Sequence, residues 1–212
     1  MFTRINASVK KFFRELAERH VGWFERRNIK PDDLTKTGVV LCVVASVIVA
    51  FEAHSPVMLY RLGAGVFLFG SILDVMDGAL ARMTHQSTPW GMYLDSNTDR
   101  VGETAMLLAI IAVFYHQREF VPLMFSATAI GTTHQVTFSR AKTEAMGLES
   151  KKEVIGERLH RLIVLVAGLI LAPWFGLEWV VYVLVVITTW GWVLRVLSTR
   201  TLLAVKQAEE QQ

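Results

Sequence analysis

Four aspartates near the middle of the chain are spaced as a site for metal-dependent chemistry. Asp74 and Asp77 stand three residues apart, Asp95 and Asp99 stand four apart, and both pairs flank long apolar runs. At these spacings the members of a pair share one face of a helix. Carboxylates beside hydrocarbon are costly without cations, and their oxygens suit a hard divalent ion. The spacing predicts two Mg²⁺ ions, or Mn²⁺ in their place, that hold a pyrophosphate.

The residues between the two pairs indicate phosphate binding. Gly78 and Ala81 place almost no side chain after Asp77, so a phosphorylated ligand can approach the backbone there. Arg82 adds a planar guanidinium that suits phosphate. A turn between two helices is predicted at Thr88, Pro89 and Gly91. It would bring the second aspartate pair back to face the first, with one carboxylate left to act as a base.

The spacing D-x2-D-G-x2-A-R-x8-G-x3-D-x3-D fits residues 74–99 at every defined position. This motif resembles the signature of the CDP-alcohol phosphotransferases, also called CDP-alcohol phosphatidyltransferases. The resemblance implies a homodimeric membrane enzyme of phospholipid biosynthesis, in which an alcohol displaces CMP from CDP-diacylglycerol or CDP-archaeol. It implies that all four aspartates bind the metals and that Asp99 is the catalytic base. The nucleotide-binding residues that it implies are Asp32, Thr35, Asp74, Gly78, Ala81, Arg82 and Thr88.

Two of these residues lie in the run Pro31-Asp32-Asp33-Leu34-Thr35, ahead of the first apolar stretch. On the residues alone, Pro31 ends a preceding helix, and Asp32 or Asp33 caps the next one. The family carries a similar Pro-Asp-x-x-Thr stretch at its cytidine site. The resemblance therefore favours Asp32 and Thr35 as nucleotide ligands.

A second polar block, Thr137–Glu144 followed by Glu157–Leu162, is rich in cations. These cations fit two interpretations, which are positive flanks of membrane spans and a pocket for the phosphate of a phosphorylated alcohol. The block resembles that of phosphatidylinositol phosphate and archaetidylinositol phosphate synthases, with Arg140 and Lys142 exchanged. The acceptor implied is inositol 1-phosphate, with glycerol 3-phosphate as second choice. The acceptor-binding candidates are Thr137, Arg140, Lys142, Arg158 and Arg161.

The elements that must position these residues are membrane helices. Hydrophobic residues make up 52% of the chain, and each apolar run extends by about a turn toward the ~20 residues of a span. We therefore predict an all-α integral membrane protein with six transmembrane helices. The six apolar runs are Thr37–Phe51, Leu62–Leu73, Thr104–Gln117, Phe120–Ser139, Leu162–Leu177 and Val180–Leu194.

The distribution of cations predicts the orientation of these spans. With a cytoplasmic N-terminus, only Arg61 and Arg118 of the 22 Lys and Arg residues fall on the outer side. The positive-inside rule then places the aspartate motif and both termini on the cytoplasmic side of the cell membrane. The net charge is only +3, which gives little support to a nucleic-acid partner.

Three regions are expected along the chain. Residues 1–34 would form an N-terminal interfacial amphipathic helix and the entry to the nucleotide site, because apolar residues such as Phe12, Leu16 and Phe24 recur at near-helical spacing. The alternative for this helix, which is compatible with the first, is packing on the cytoplasmic ends of the bundle. Residues 35–200 would form the six-helix transferase domain, and residues 201–212 a cytoplasmic tail. The single cysteine, Cys42, is expected to be a packing residue.

Two competing classes of protein also place carboxylates in a membrane. An intramembrane prenyltransferase uses aspartate-rich motifs with Mg²⁺ and pyrophosphate, but it carries two separated motifs, and no second one is present in this chain. A non-catalytic metal-binding membrane protein would not need the Gly-Ala-Arg residues between the aspartate pairs. Release of CMP from a CDP-lipid would distinguish the alternatives.

Overall fold

The computed structural model describes residues 29–51, 56–148 and 155–210, with single positions in the N-terminal region at Glu15, Arg19, Gly22, Phe24, Arg26 and Arg27. The interfacial helix predicted within residues 1–34 lies mostly outside the described residues. Across the described ranges, the regular structure is helical throughout. The helices are α1 (Pro31–Ala50), α2 (Pro56–Met83), α3 (Pro89–Gln117), α4 (Phe120–Ala145), α5 (Arg158–Phe175) and α6 (Glu178–Glu210).

Four of these helices, α1, α2, α5 and α6, are long and apolar enough to cross a membrane. The sequence-based prediction of a helical protein with several apolar spans is therefore confirmed. Helices α3 and α4 are more polar. The first half of α3 carries Asp95, Asp99 and Glu103, and α4 carries hydroxyl side chains along most of its length. Six membrane crossings remain a prediction.

The helix ends differ from the prediction at the polar motifs. Helix α2 continues through Gly78 and Ala81 to Met83, and α3 already begins at Pro89, so Gly91 lies in its first turn. The predicted turn is thus shorter and ends at Thr88. Proline is favoured at the first position of a helix because its missing N–H has no partner there in any case. Helix α4 likewise extends through the whole of the predicted polar stretch that follows the fourth apolar run.

The chain divides into two compact units, Met1–Val113 and Phe114–Gln212. In the first unit, α1 and α2 run antiparallel with their backbones in close contact. A Cβ on Gly38 would lie 2.8 Å from the Gly70 carbonyl oxygen, and a Cβ on Gly70 would lie 2.7 Å from the Gly38 carbonyl oxygen. A Cβ on Gly102 of α3 would lie 3.0 Å from Cβ of Cys42. Cys42 is buried, as expected for a packing residue.

An apolar cluster supports the end of α2 that carries the first aspartate pair. Met76 and Leu80 of α2 are buried against Leu34 of α1 and Phe24 of the N-terminal region. Burying side chains of this size contributes about 1.5–3 kcal/mol each. The cluster therefore holds the start of α1 against the polar end of α2.

The second unit contains α4, α5 and α6. Helices α4 and α6 run parallel and are joined by two hydroxyl pairs, Thr132–Thr188 at 2.7 Å and Thr143–Thr199 at 2.9 Å. Helices α5 and α6 form a hairpin whose turn contains Gly176 at φ +86°, a conformation that glycine adopts without a steric penalty. The segment of residues 155–157 leads into α5 and packs on α6.

Candidate active site

Three of the four aspartates of the motif lie together. Asp74 comes from the last turns of α2, and Asp95 and Asp99 come from the first turns of α3. Each offers a carboxylate oxygen, and these oxygens all lie within 4.8 Å of one another. Asp74 is buried and the other two are half-buried. Because three carboxylate oxygens converge from two helices, the donor set fits a hard divalent cation such as Mg²⁺ or Mn²⁺.

Asp77 lies beside this group and has a different partner. Its side chain is 4% exposed, and its Oδ2 accepts a hydrogen bond from the Thr35 hydroxyl of α1. The negative charges of Asp74 and Asp95 also act on Asp77. The structure therefore places Asp77 at the edge of the acidic group and joins it to Thr35, a residue that the sequence suggested as a nucleotide ligand.

The glycine of the motif makes room for the arginine of the motif. A Cβ on Gly78 would lie 3.3 Å from Nη1 of Arg82, because a helical side chain leans back over the preceding turn. The Arg82 side chain is exposed, whereas Ala81 is half-buried. Arg82 thus presents its guanidinium along the polar end of α2.

Thr88 and Asp32 both lie beside Gly91. The Gly91 N–H donates to Oγ1 of Thr88 at 3.0 Å, so Thr88 caps the N-terminus of α3. A Cβ on Gly91 would lie 3.5 Å from Oδ1 of Asp32. The start of α1 and the start of α3 are therefore neighbours. Lys30 is the N-cap of α1, and Asp33, at the third helical position, accepts from the Lys30 N–H through its Oδ2 at 3.2 Å.

The acceptor-binding candidates all lie in the second unit, on the last turns of α4 and the first turn of α5. Thr137 donates to the Thr133 carbonyl oxygen at 3.2 Å. Arg140 forms an exposed ion pair with Glu144 at 2.9 Å, and Lys142 is exposed. Arg158 is half-buried. Arg161 is buried and donates from Nη1 to the Gly156 carbonyl oxygen at 2.6 Å.

Arg195 of α6 was missed as a site residue at the sequence level. Its side chain is only 2% exposed, and its Nη2 lies 3.1 Å from Oε1 of Glu157, at the entry to α5. The charges of Arg140 and Glu144 also act on it. A cation within an apolar helix is expensive and is usually functional or paired. Its place after a long apolar run was the signal, but the same position also fits a positive flank of a span.

Comparison with known proteins points to one family. The sequence profile of the CDP-alcohol phosphatidyltransferase family matches residues 28–196. Archaetidylinositol phosphate synthase of Methanothermobacter thermautotrophicus is 30% identical over 176 residues, which cover 81% of this chain and 84% of that protein. Phosphatidylinositol phosphate synthase of Mycobacteroides abscessus is 32% identical over 177 residues, which cover 83% of this chain and 75% of that protein.

Solved structures of Mycobacterium tuberculosis phosphatidylinositol phosphate synthase share the fold. The complex with CDP-DAG superposes with a TM-score of 0.74 at 22% identity, over 89% of this chain and 94% of that one. The complex with manganese and citrate superposes with a TM-score of 0.76 at 23% identity, over 87% of this chain and 89% of that one.

Proposed function

The chain belongs to the CDP-alcohol phosphatidyltransferase family, and from that premise we propose that it transfers a phosphatidyl or archaetidyl group from a CDP-linked lipid to inositol 1-phosphate. As a member of this family it is a transferase of phospholipid biosynthesis. The observation that carries the proposal is the convergence of Asp74, Asp95 and Asp99 within 4.8 Å. A group of this kind suits the diphosphate of a CDP-lipid. Carboxylates and diphosphate are both negatively charged, so divalent cations must lie between them.

The aspartates would hold two divalent ions, with Asp74, Asp77 and Asp95 as the main ligands and Asp99 contributing to metal binding beside its role as base. When bound, such ions neutralise the diphosphate and help the CMP phosphate to leave. The manganese in a neighbouring solved structure supports this choice of metal. Arg82 would bind a phosphate of the nucleotide, and Gly78 and Ala81 would let that phosphate approach α2. Asp32 and Thr88, which both lie beside Gly91, would border the nucleoside.

Asp99 would act as the base of the reaction. The acceptor hydroxyl oxygen attacks the β-phosphorus of the CDP-lipid, the bond from that phosphorus to the bridging oxygen of CMP breaks, and the hydroxyl proton passes to the Asp99 carboxylate. A carboxylate beside divalent ions is a weak base, because the nearby positive charge stabilises its ionised form. Its competence here rests on its position and on the falling pKa of the alcohol as the new bond forms.

The cations of the second unit support an acceptor that carries its own phosphate. Arg140, Lys142, Arg158 and Arg161 would bind that phosphate by charge-assisted hydrogen bonds, with Thr137 beside them. The names of the relatives, archaetidylinositol phosphate synthase and phosphatidylinositol phosphate synthase, support inositol 1-phosphate as its identity. The CDP-DAG in a neighbouring structure supports the donor class.

The proposal includes a place in the cell. The six apolar runs support six spans in the cell membrane, and the distribution of cations supports a cytoplasmic position for the aspartate motif and both termini. Homodimerisation is proposed on family likeness. The three regions 1–34, 35–200 and 201–212 remain the proposed division of the chain by role.

The product assay tests the proposal directly. The purified protein is incubated with CDP-diacylglycerol and Mg²⁺, and with inositol 1-phosphate, inositol, glycerol 3-phosphate or serine in separate reactions. Lipid products and CMP are identified by mass. We expect phosphatidylinositol phosphate and an equal amount of CMP with inositol 1-phosphate. A product formed only with glycerol 3-phosphate would instead identify a phosphatidylglycerophosphate synthase.

Metal removal tests the role of the aspartates. We expect EDTA to abolish CMP release, and Mg²⁺ or Mn²⁺ added in excess of the chelator to restore it, because the carboxylate oxygens select hard cations. Activity that persists after exhaustive chelation would refute the metal-dependent mechanism. Assay of the restored protein against an untreated sample controls for loss of fold.

A further inference from the structure

Helix α1 contacts the acidic end of α2 through a hydroxyl group. Thr35 donates to Oδ2 of Asp77, and the two side chains are 3% and 4% exposed. A hydroxyl has one proton to donate. The alternative acceptor for that proton is the Pro31 carbonyl oxygen at 3.3 Å, but a carboxylate is the stronger acceptor because it is charged. Thr35 is therefore committed to Asp77 and cannot at the same time donate to a nucleotide.

The position of Thr35 relative to Asp77 is fixed by the backbones of the two helices. One turn further along α1, Gly38 packs on α2 so closely that a Cβ there would lie 2.8 Å from the Gly70 carbonyl oxygen and 3.3 Å from Cβ of Asp74. At this level there is consequently no room for a side chain between α1 and α2. The contact between Thr35 and Asp77 therefore lies beside a close approach of the two helix backbones.

We propose that Thr35 is a positioning residue of the metal site, whose hydroxyl orients the Asp77 carboxylate and so sets the affinity for the divalent ion. This inference rests on the proposed function, and it gives Thr35 a role beside the nucleotide-binding one that the sequence suggests. A hydrogen bond from outside the ligand shell fixes the orientation of a carboxylate ligand. Loss of such a bond typically lowers metal affinity by roughly 10–100-fold.

Three substitutions separate the hydroxyl from the rest of the side chain. Thr35→Val keeps the branched shape and removes the donor, whereas Thr35→Ser keeps the donor and removes a methyl group. Thr37→Val is the matched control, because Thr37 lies two residues further along α1 and its hydroxyl donates within its own helix, to the Asp33 carbonyl oxygen at 2.7 Å. Thr35→Ala is the second donor-free variant, should Thr35→Val fail to fold.

The measurement is the binding of Mn²⁺ to the intact protein in detergent, without nucleotide or lipid. Binding is monitored by electron paramagnetic resonance. We expect the dissociation constant for Mn²⁺ to rise roughly tenfold or more in Thr35→Val. It should stay within about threefold of wild type in Thr35→Ser and remain unchanged in Thr37→Val. Melting temperatures of the metal-free variants show whether each one is folded.

Three results would overturn the inference. Unchanged Mn²⁺ binding in Thr35→Val, with a raised KM for CDP-diacylglycerol at saturating Mn²⁺, would return Thr35 to nucleotide binding. Equal losses of Mn²⁺ affinity in Thr35→Val and Thr35→Ser would show that packing, and not the hydroxyl, is responsible. The Mn²⁺-binding measurement uses neither acceptor nor donor lipid. Its result therefore stays valid even if the product assay shows that the proposed acceptor is wrong. Equally, normal turnover beside unchanged Mn²⁺ binding in Thr35→Val would defeat this inference alone.

Discussion

Negatively charged side chains that lie close together repel one another, and three do so here, namely Asp74, Asp95 and Asp99. Two unit charges about 4 Å apart repel by about 4 kcal/mol at the effective dielectric typical of proteins. One carboxylate oxygen of each of these residues lies within 4.8 Å of the others, so their mutual repulsion weighs against folding and is relieved when cations bind. Packing elsewhere must therefore hold these helices in place. Gly38 and Gly70 bring α1 against α2, and Gly102 of α3 packs on Cys42 of α1.

Asp99→Asn removes both the negative charge of this residue and its ability to take a proton. We expect turnover to fall by at least about 100-fold, the lower range of general-base catalysis, while binding of CDP-diacylglycerol is largely kept. In EDTA the variant should melt at a higher temperature than wild type, because one repelling charge is gone. Glu119→Gln, which neutralises an exposed carboxylate just before α4, is the control and should change neither quantity. Turnover retained in Asp99→Asn would rule out its role as base.

Gly78→Ala tests whether the motif glycine acts through Arg82. A new Cβ 3.3 Å from Nη1 of Arg82 would displace the guanidinium by a few tenths of an ångström from its place at the end of α2. We expect the KM for CDP-diacylglycerol to rise about fivefold, which corresponds to a loss of about 1 kcal/mol from a charge-assisted contact. Gly65→Ala on the same helix meets no atom within 4 Å and should leave KM unchanged. An equal KM in both variants would refute a connection between Gly78 and Arg82.

At the scale of the element, the entry to α5 depends on a glycine of α6. A Cβ on Gly191 would lie 1.9 Å from the Ile155 carbonyl oxygen, and a Cβ on Gly156 would lie 2.8 Å from the Ile187 carbonyl oxygen. The segment of residues 155–157 therefore rests directly on the α6 backbone. It places Arg158 and Arg161, and the pair between Glu157 and Arg195 holds the same segment from its other end.

Gly191→Ala should displace this segment. We expect the free energy of unfolding to fall by about 1–3 kcal/mol, the usual cost of overpacking, and the KM for inositol 1-phosphate to rise while the KM for CDP-diacylglycerol does not. Gly131→Ala on α4 meets no atom within 4 Å and is the control, with a gain of up to about 1 kcal/mol in helix stability. If Gly191→Ala is destabilised but its KM for inositol 1-phosphate is normal, the segment of residues 155–157 does not contribute to acceptor binding.

Helix interiors were easier to predict from the sequence than helix ends. Each apolar run identified in the sequence lies largely within one helix, because burial of hydrophobic side chains decides the secondary structure there. The ends were misjudged where polar residues continue a helix. Gly78 and Gly91 resemble turn residues, yet both lie within helices, because glycine costs a helix only about 1 kcal/mol. Glycine also permits close approach, which spacing alone does not show.

The members of the acidic group were predictable from spacing, whereas their partners were not. Helical pitch and a short connection leave few alternatives to a meeting of Asp74, Asp95 and Asp99. The Thr35–Asp77 bond joins residues 42 positions apart, and the Glu157–Arg195 pair joins residues 38 apart. Contacts of that range depend on the packing of helices, for which a single sequence holds no direct signal.

For the whole molecule, the sole cysteine makes the topology testable. In a Cys42→Ser background, single cysteines at Ser87, between α2 and α3, and at Glu119, between α3 and α4, report the two sides of the membrane. Both positions are exposed. We expect an impermeant maleimide to label the Glu119→Cys variant in intact spheroplasts, and the Ser87→Cys variant only after permeabilisation. Labelling of both positions before permeabilisation would contradict a membrane crossing by α3.

The two threonine pairs between α4 and α6 restrict how this protein can evolve. Both pairs join residues that lie 56 positions apart, and about three helical turns separate one pair from the other. One amino acid inserted between them in either helix would rotate everything beyond it by about 100°, which would break the hydrogen bond of one pair and leave the other intact. Tolerated length changes here should come as matched insertions or deletions in both helices, so family members should vary the lengths of these two stretches together or not at all.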